Sequence, residues 1–220
     1  PVKKVVNGYA GSALMKDEGL AVKILRSVFR ATKIPITLKM RTGWDDSSRN
    51  APKLAKIAED IGISMITIHG RTRCQMYKGK SDWAFIKKVK DSVNIPVIAN
   101  GDVENFEDVN NILKVSNADG LMIGRGSYGK PWIFSEISSR FKNKKFDLSL
   151  ESKKLIILEH FNLSLEHYGI NIGIKNFRKH LGWYSKSLKN SNSFREKINN
   201  TLDYKIIEKL TDEFFCYENV

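Results

Sequence analysis

Between residues 36 and 124 the sequence repeats one pattern: a short apolar run, then a stretch with apolar residues at helical spacing. The runs are ITLKM (36–40), SMITIH (64–69), IPVIAN (95–100) and DGLMIG (119–124). They read as strands that are apolar throughout, as parallel strands buried on both faces are. Helices are predicted at 19–31, 51–61, 82–93, 105–116 and 131–141. Pro52 suits a first turn, and Asp82 and Asn105 are placed to cap. The runs recur roughly every 25–30 residues, the size of a βαβ unit.

Every run ends in a polar cluster: Lys39-Met40-Arg41, His69-Gly70-Arg71, Asn100-Gly101-Asp102 and Gly124-Arg125-Gly126. Open doubly wound sheets bind ligands mainly at one switch point. A (β/α)8 barrel gathers its site from many strand ends, so four loaded ends in succession favour the barrel. Four strands are half of one, and an isolated half would leave unpaired edges. The chain also starts at Pro1, without Met. The expected fold is therefore α/β: the carboxyl-terminal half of a TIM (β/α)8 barrel over residues 1–140, then a small α-helical domain over 141–220. In that second part a polar linker (141–151) precedes helices predicted at 151–168, 173–189 and 193–217.

Thirty-seven Lys and Arg stand against 24 Asp and Glu, a formal charge of +13. Between 175 and 197, Lys175, Arg178, Lys179, Lys186, Lys189, Arg195 and Lys197 face Glu196 alone. Such a cluster suggests a polyanionic partner, although a lysine-rich proteome gives the same drift. FRKHLGWY (177–184) interleaves cations with aromatics; the aromatics read mostly as core and the cations mostly as exposed. With 41% hydrophobic residues the chain can build a core. No stretch is apolar enough to span a bilayer. Two cysteines, Cys74 and Cys216, make no disulfide framework and suit a reducing compartment. No histidine or cysteine spacing suggests a metal.

Glycines at the last two strand ends, with Arg125 between Gly124 and Gly126, read as a phosphate cradle or as ordinary turns. Lys39 reads as facing an anionic group or as a strand-end lysine reaching to water. His69 reads as a site residue or a satisfied structural histidine. Cys74 reads as a free loop thiol.

PVKKVVNGYAGSALM (1–15), LKMRTGW (38–44), ITIHGRTR (66–73), IPVIANGD (95–102), ADGLMIGRG (118–126), KPWIF (130–134) and FRKHLGWY (177–184) resemble the bacterial tRNA-dihydrouridine synthases, most closely the B-type branch. The resemblance runs in order over nearly the whole chain. It implies a flavin-containing barrel and a helical tRNA-binding domain in a cytoplasmic oxidoreductase. That enzyme uses NADPH and FMN to reduce the C5–C6 bond of particular tRNA uridines. By motif match Lys39 lies against the flavin and His69 by the flavin or its phosphate. Asn100, Gly101 and Asp102 take the ribityl-phosphate region, and Gly124 and Arg125 the phosphate. Charge and position nominate Arg71, Lys175, Arg178 and Lys179 for RNA contact. The family's proton-donor cysteine falls just before Pro1, so no catalytic residue is expected in this chain and these 220 residues alone are expected to be inactive. A monomer without metal or membrane is expected. The alternatives are a non-catalytic RNA-binding remnant and another flavin- or phosphate-binding barrel acting on a small molecule.

Overall fold

The computed structural model describes residues 2–216. Pro1, matched above to a family motif, lies outside them. The chain forms two compact units, one ending at Gly126 and the other beginning at Ser127.

The first unit begins with a short helix α1 (Lys3–Val6) and a 3-10 turn (Gly11–Lys16). Then α2 (Glu18–Ala31), β1 (Thr37–Arg41), α3 (Ala51–Ile61), β2 (Met65–His69), α4 (Trp83–Lys90), β3 (Val97–Asn100), α5 (Phe106–Ser116) and β4 (Gly120–Met122) follow in strict alternation. The caps act as the sequence suggested. Asp82 accepts from the Phe85 amide, and Asn105 and Asp108 form a reciprocal capping box. All pairings are parallel, in the order β1-β2-β3-β4. No reversal of order occurs among these strands, and successive helices pack on one another. This is the arrangement of part of a (β/α) barrel rather than of a doubly wound sheet.

The sheet departs from expectation in one respect, for its strands are not apolar on both faces. Register sets Lys39 beside Thr67, Arg41 beside His69, and His69 beside Asn100. Side chains alternate along a strand, so these polar groups share one face. The other face carries Met40, Ile66, Ile68, Val97 and Ala99, all buried. The facing helices bury Leu54, Ala58, Ile86, Val89, Val109 and Ile112. Each fully buried aliphatic chain contributes about 1.5–3 kcal/mol. One row thus holds the sheet together and leaves the other for chemistry.

The second unit contains α6 (Ile133–Phe141), α7 (Leu150–Tyr168), α8 (Ile170–Tyr184), α9 (Ser191–Asn199) and α10 (Tyr204–Phe214). Its core joins Ile157 and Phe161 of α7, Ile174, Phe177 and Leu181 of α8, Phe194 and Ile198 of α9, and Ile207 and Phe214 of α10. The division precedes α6 instead of falling at 140, because Trp132 packs on this core and Tyr128 stacks on Trp183. The helix predicted over 193–217 is two. Asp203 turns its carboxylate onto the Lys205 and Ile206 amides and starts a new helix, a local competition that apolar spacing does not reveal.

Asp203→Ala should therefore destabilise the helical unit by about 1 kcal/mol, the usual loss for an N-cap. A lowered urea midpoint with an unchanged slope would show it.

Candidate functional site

The polar row of the sheet ends in a network centred on Asp102. Asn100, Gly101 and Asp102 turn sharply off β3. Gly101 has φ 122° and Asp102 has φ 57°. A side chain at Gly101 would bring its Cβ within 2.4 Å of Ser81 Oγ and 3.0 Å of His69 Cδ2, so only glycine fits. The turn aims the Asp102 carboxylate at Arg71, which is 2% exposed. Two bonds of 2.7 Å form, from Nη1 to Oδ1 and from Nη2 to Oδ2. The Ser81 amide donates a third bond to Oδ2, also 2.7 Å.

The rest of the Arg71 guanidinium is equally committed. Nε donates to Lys78 O at 3.2 Å and Nη2 to Gly79 O at 2.6 Å. Nη1 lies 3.5 Å from His69 Nε2. A guanidinium can only donate, so Nε2 accepts and the His69 proton sits on Nδ1. Burial, then the charges of Arg41, Lys39 and Arg71, push the imidazole pKa down to about 3. His69 is thus neutral at physiological pH. Burial would raise the Asp102 pKa, but the bonds from Arg71 and Ser81 and the charges of Arg71 and Arg125 lower it.

Arg41, in line with His69, is 6% exposed and donates to Thr72 O (2.6 Å) and Met76 O (2.8 Å). Arg41 and Arg71 together close the loop after β2 from both sides. The closed loop carries Tyr77, whose ring lies 4.7 Å from the Arg125 guanidinium and 5.7 Å from that of Arg41. Arg125 is half-exposed and 3.5 Å from Asp102. Asn100 Nδ2 donates to Met122 O at 2.7 Å and ties the ends of β3 and β4. A side chain at Gly124 would meet only open space. Lys39 projects from the same face, and its pKa is lowered by burial and then by Arg41. A cavity of about 370 Å³ runs along β1, reached by Lys39 and Arg41 and walled by Met15, Ile24 and Leu38.

Lys39, His69, Asn100, Gly101, Asp102, Gly124 and Arg125 therefore share one end of the sheet. The candidates for RNA contact do not stay together. Lys175 and Lys179 are exposed on α8. Arg178 is half-buried and donates to Thr201 O at 2.7 Å. Arg71 belongs to the sheet network, and its burial leaves no donor for RNA. Two participants escaped the residue-by-residue reading. Arg41 could have been found from its spacing of two from Lys39. Tyr77 had no sequence signal, because its place depends on a loop that Arg41, from a different strand, helps to close. Cys74 is an exposed free thiol. No group of histidine, cysteine and carboxylate side chains able to hold a metal occurs among the described residues.

Four cations and one carboxylate gather at the strand ends of a parallel sheet, so this end of the α/β unit carries an excess of positive charge. A family model described as dihydrouridine synthase matches residues 1–215. The chain is 54% identical over 217 residues to a probable tRNA-dihydrouridine synthase of Rickettsia bellii, covering 98% of this chain and 67% of the relative. A protein of the same description from Rickettsia conorii is 52% identical over 98% of this chain and 66% of its own length. A tRNA-dihydrouridine synthase B of Pseudomonas syringae pv. tomato is 43% identical, with coverages of 98% and 64%. The chain belongs to the dihydrouridine synthase family, and it spans about two thirds of the length of these curated relatives.

Removing the carboxylate in Asp102→Ala should cost about 3 kcal/mol, because Arg71 is left charged, buried and unpaired; chemical denaturation measures it. The His69 shift has a pH signature. The unfolded imidazole protonates near its ordinary 6.5, and the folded one only near 3. As pH falls the unfolded state takes up the proton first, so stability declines between these values and is flat above them. A His69→Asn variant should lose less stability than the native protein when unfolding is compared at about pH 7 and about pH 5.

Proposed function

We propose that this protein works as an FMN-dependent tRNA-dihydrouridine synthase, reducing the C5–C6 double bond of uridines in tRNA with NADPH as the electron source. The observation that carries the cofactor assignment is the pairing of a half-exposed Arg125 with open space above Gly124, beside an Asp102 already committed to Arg71. An anion with a phosphate end suits that donor set, since the site has cations to spare and its carboxylate is held by them. The residues fit FMN. When bound, the flavin supplies the hydride chemistry that no side chain can.

The chain's own residues bind and orient. Arg125 holds the phosphate, with the Gly124 backbone letting it approach closely. Asn100 and Gly101 line the ribityl region. Both Asp102 oxygens are engaged, so Asp102 acts on the cofactor through Arg71 and Arg125 rather than by touching phosphate. Lys39 faces the ring, where a cation favours negative charge. Neutral His69 offers hydrogen bonding without adding repulsion. The second unit serves as the tRNA-facing part through Lys175 and Lys179, which form no ion pair among the described residues, and through the outer edge of Arg178. A tRNA partner and this chemistry would suit a cytoplasmic protein. Among the described residues no helix is long and apolar enough to cross a membrane.

Titration with FMN and with riboflavin, followed by flavin fluorescence, tests the reading. FMN should bind more tightly than riboflavin. Arg125→Ala should weaken FMN at least about tenfold, as loss of a charge-assisted hydrogen bond does. It should leave riboflavin unchanged. Equal binding of both flavins, insensitive to Arg125, would remove the phosphate assignment. Dihydrouridine formed in tRNA is the readout for the activity.

A further inference from the structure

The second unit holds a pocket that the proposed chemistry does not use. We propose that the groove between α7 and α8 binds one unpaired nucleotide of an RNA, base inward and phosphate at the rim. This rests on the reading of α8 as RNA-facing and gives that surface a defined subsite.

The pocket arises from two helix stripes. His160, His167 and Tyr168 on α7 face Asn176, Lys179 and His180 on α8. Gly169, at φ 74°, reverses the chain between the helices. Gly173 then lets α8 start against α7, where a Cβ would fall 2.8 Å from Ser164 O. Phe161 and Phe177 fasten the pair in the core, with ring centroids 5.1 Å apart. Beside that contact the imidazoles of His160 and His180 meet edge to face at 4.8 Å. The space left is about 310 Å³. That lies at the low end of small-ligand pockets, which run about 300–1,000 Å³, and admits one ring system rather than a duplex.

The lining suits a base better than a bare anion. The floor is aromatic and uncharged. Burial lowers the His160 pKa, and burial with His160 and Lys179 lowers that of His180 to about 4. His160 Nδ1 shares a hydrogen bond of 3.0 Å with the Tyr184 hydroxyl, whose pKa burial raises to about 12. Tyr168, half-exposed, supplies a stacking face at the edge. The Asn176 amide can both donate and accept, and it makes no hydrogen bond among the described residues. The ammonium of Lys179 likewise has no ion pair there, and Lys175 lies one turn earlier on the same helix. No carboxylate lines the pocket. Aromatic face, amide edge and rim cation are the elements that capture an unstacked nucleotide.

Histidine NMR on the full chain tests this. The protein has four histidines, and His69 sits in the other unit as an internal control. Adenosine 5′-monophosphate or uridine 5′-monophosphate should shift the Cε1–H signals of His160, His167 and His180 saturably. Inorganic phosphate at the same concentration should not reproduce the shifts. Asn176→Ala should weaken the nucleotide about fivefold, the equivalent of one neutral hydrogen bond. Asn176→Asp should weaken it further by repelling the phosphate, and an unchanged urea midpoint confirms the fold of each variant. Absence of saturable shifts, equal shifts with phosphate alone, or full affinity in both variants would overturn the pocket. The outcome separates from the proposed function. Nucleotide shifts without tRNA or FMN binding would remove that function and keep the pocket, and tRNA binding without nucleotide shifts would do the reverse.

Discussion

The Arg71–Asp102 pair is the constraint on which the strand-end site is built. Removing two charges from water costs several kcal/mol per ion, and attraction alone rarely recovers it. Here the remainder is met by neighbours. All five guanidinium N–H groups have an acceptor: both Asp102 oxygens, Lys78 O, Gly79 O and, at 3.5 Å, His69 Nε2. The carboxylate accepts the Ser81 amide as well. Those partners come from the ends of β2 and β3 and from the loop after β2. Satisfying one ion pair therefore fixes the backbone on both sides of the site. It also fixes the His69 tautomer and holds a negative charge beside Arg125, which keeps that arginine near the rim.

The pair explains why the site can be polar and still well ordered. Ile66, Ile68, Val97 and Ala99 hold the sheet to its helices without help from the other row. That row is free to carry the cations Lys39 and Arg41 beside the neutral His69 and Asn100. Burial first, and the neighbouring cations second, lower the pKa values of Lys39 and His69. Four cations, Lys39, Arg41, Arg71 and Arg125, stand against one carboxylate, Asp102, at this end of the sheet.

How much of this the sequence reveals depends on the range of the interaction. The strands, caps and loaded strand ends are local, carried by period-two and helical spacing and by residues such as Asp82 and Asn105. The polar row was hidden in plain view, because runs such as ITLKM and SMITIH look apolar until register aligns Lys39 with Thr67 and Arg41 with His69. The burial of Arg71 was not legible. Arg71, Arg73 and Arg125 are equivalent by composition, and only the left-handed turn at Asp102 decides which of them is taken inside. The same holds for Tyr77, whose loop is closed in part by Arg41 far away in sequence, and for the break at Asp203, where a single carboxylate prevails over a continuous apolar stripe.

A division of labour between the two kinds of cation follows. Arg41, Arg71, Arg178 and Arg195 all spend donors on backbone carbonyls, of Thr72 and Met76, Lys78 and Gly79, Thr201, and Gly182 respectively. A planar guanidinium is weakly hydrated and matches several acceptors at once, so it is the cation that can be built into a fold. An ammonium is strongly hydrated, and Lys175, Lys179, Lys186, Lys189 and Lys197 remain exposed. The formal charge of +13 therefore overstates the field offered to a polyanion from some places and not others. On the helical unit the exposed cations are mostly lysines, point charges that would attract a polyanion without dictating its geometry. Geometry has to come from groups with fixed direction. On α7 and α8 those are the Asn176 amide and the imidazoles, held in place by the same core that buries Phe161 and Phe177.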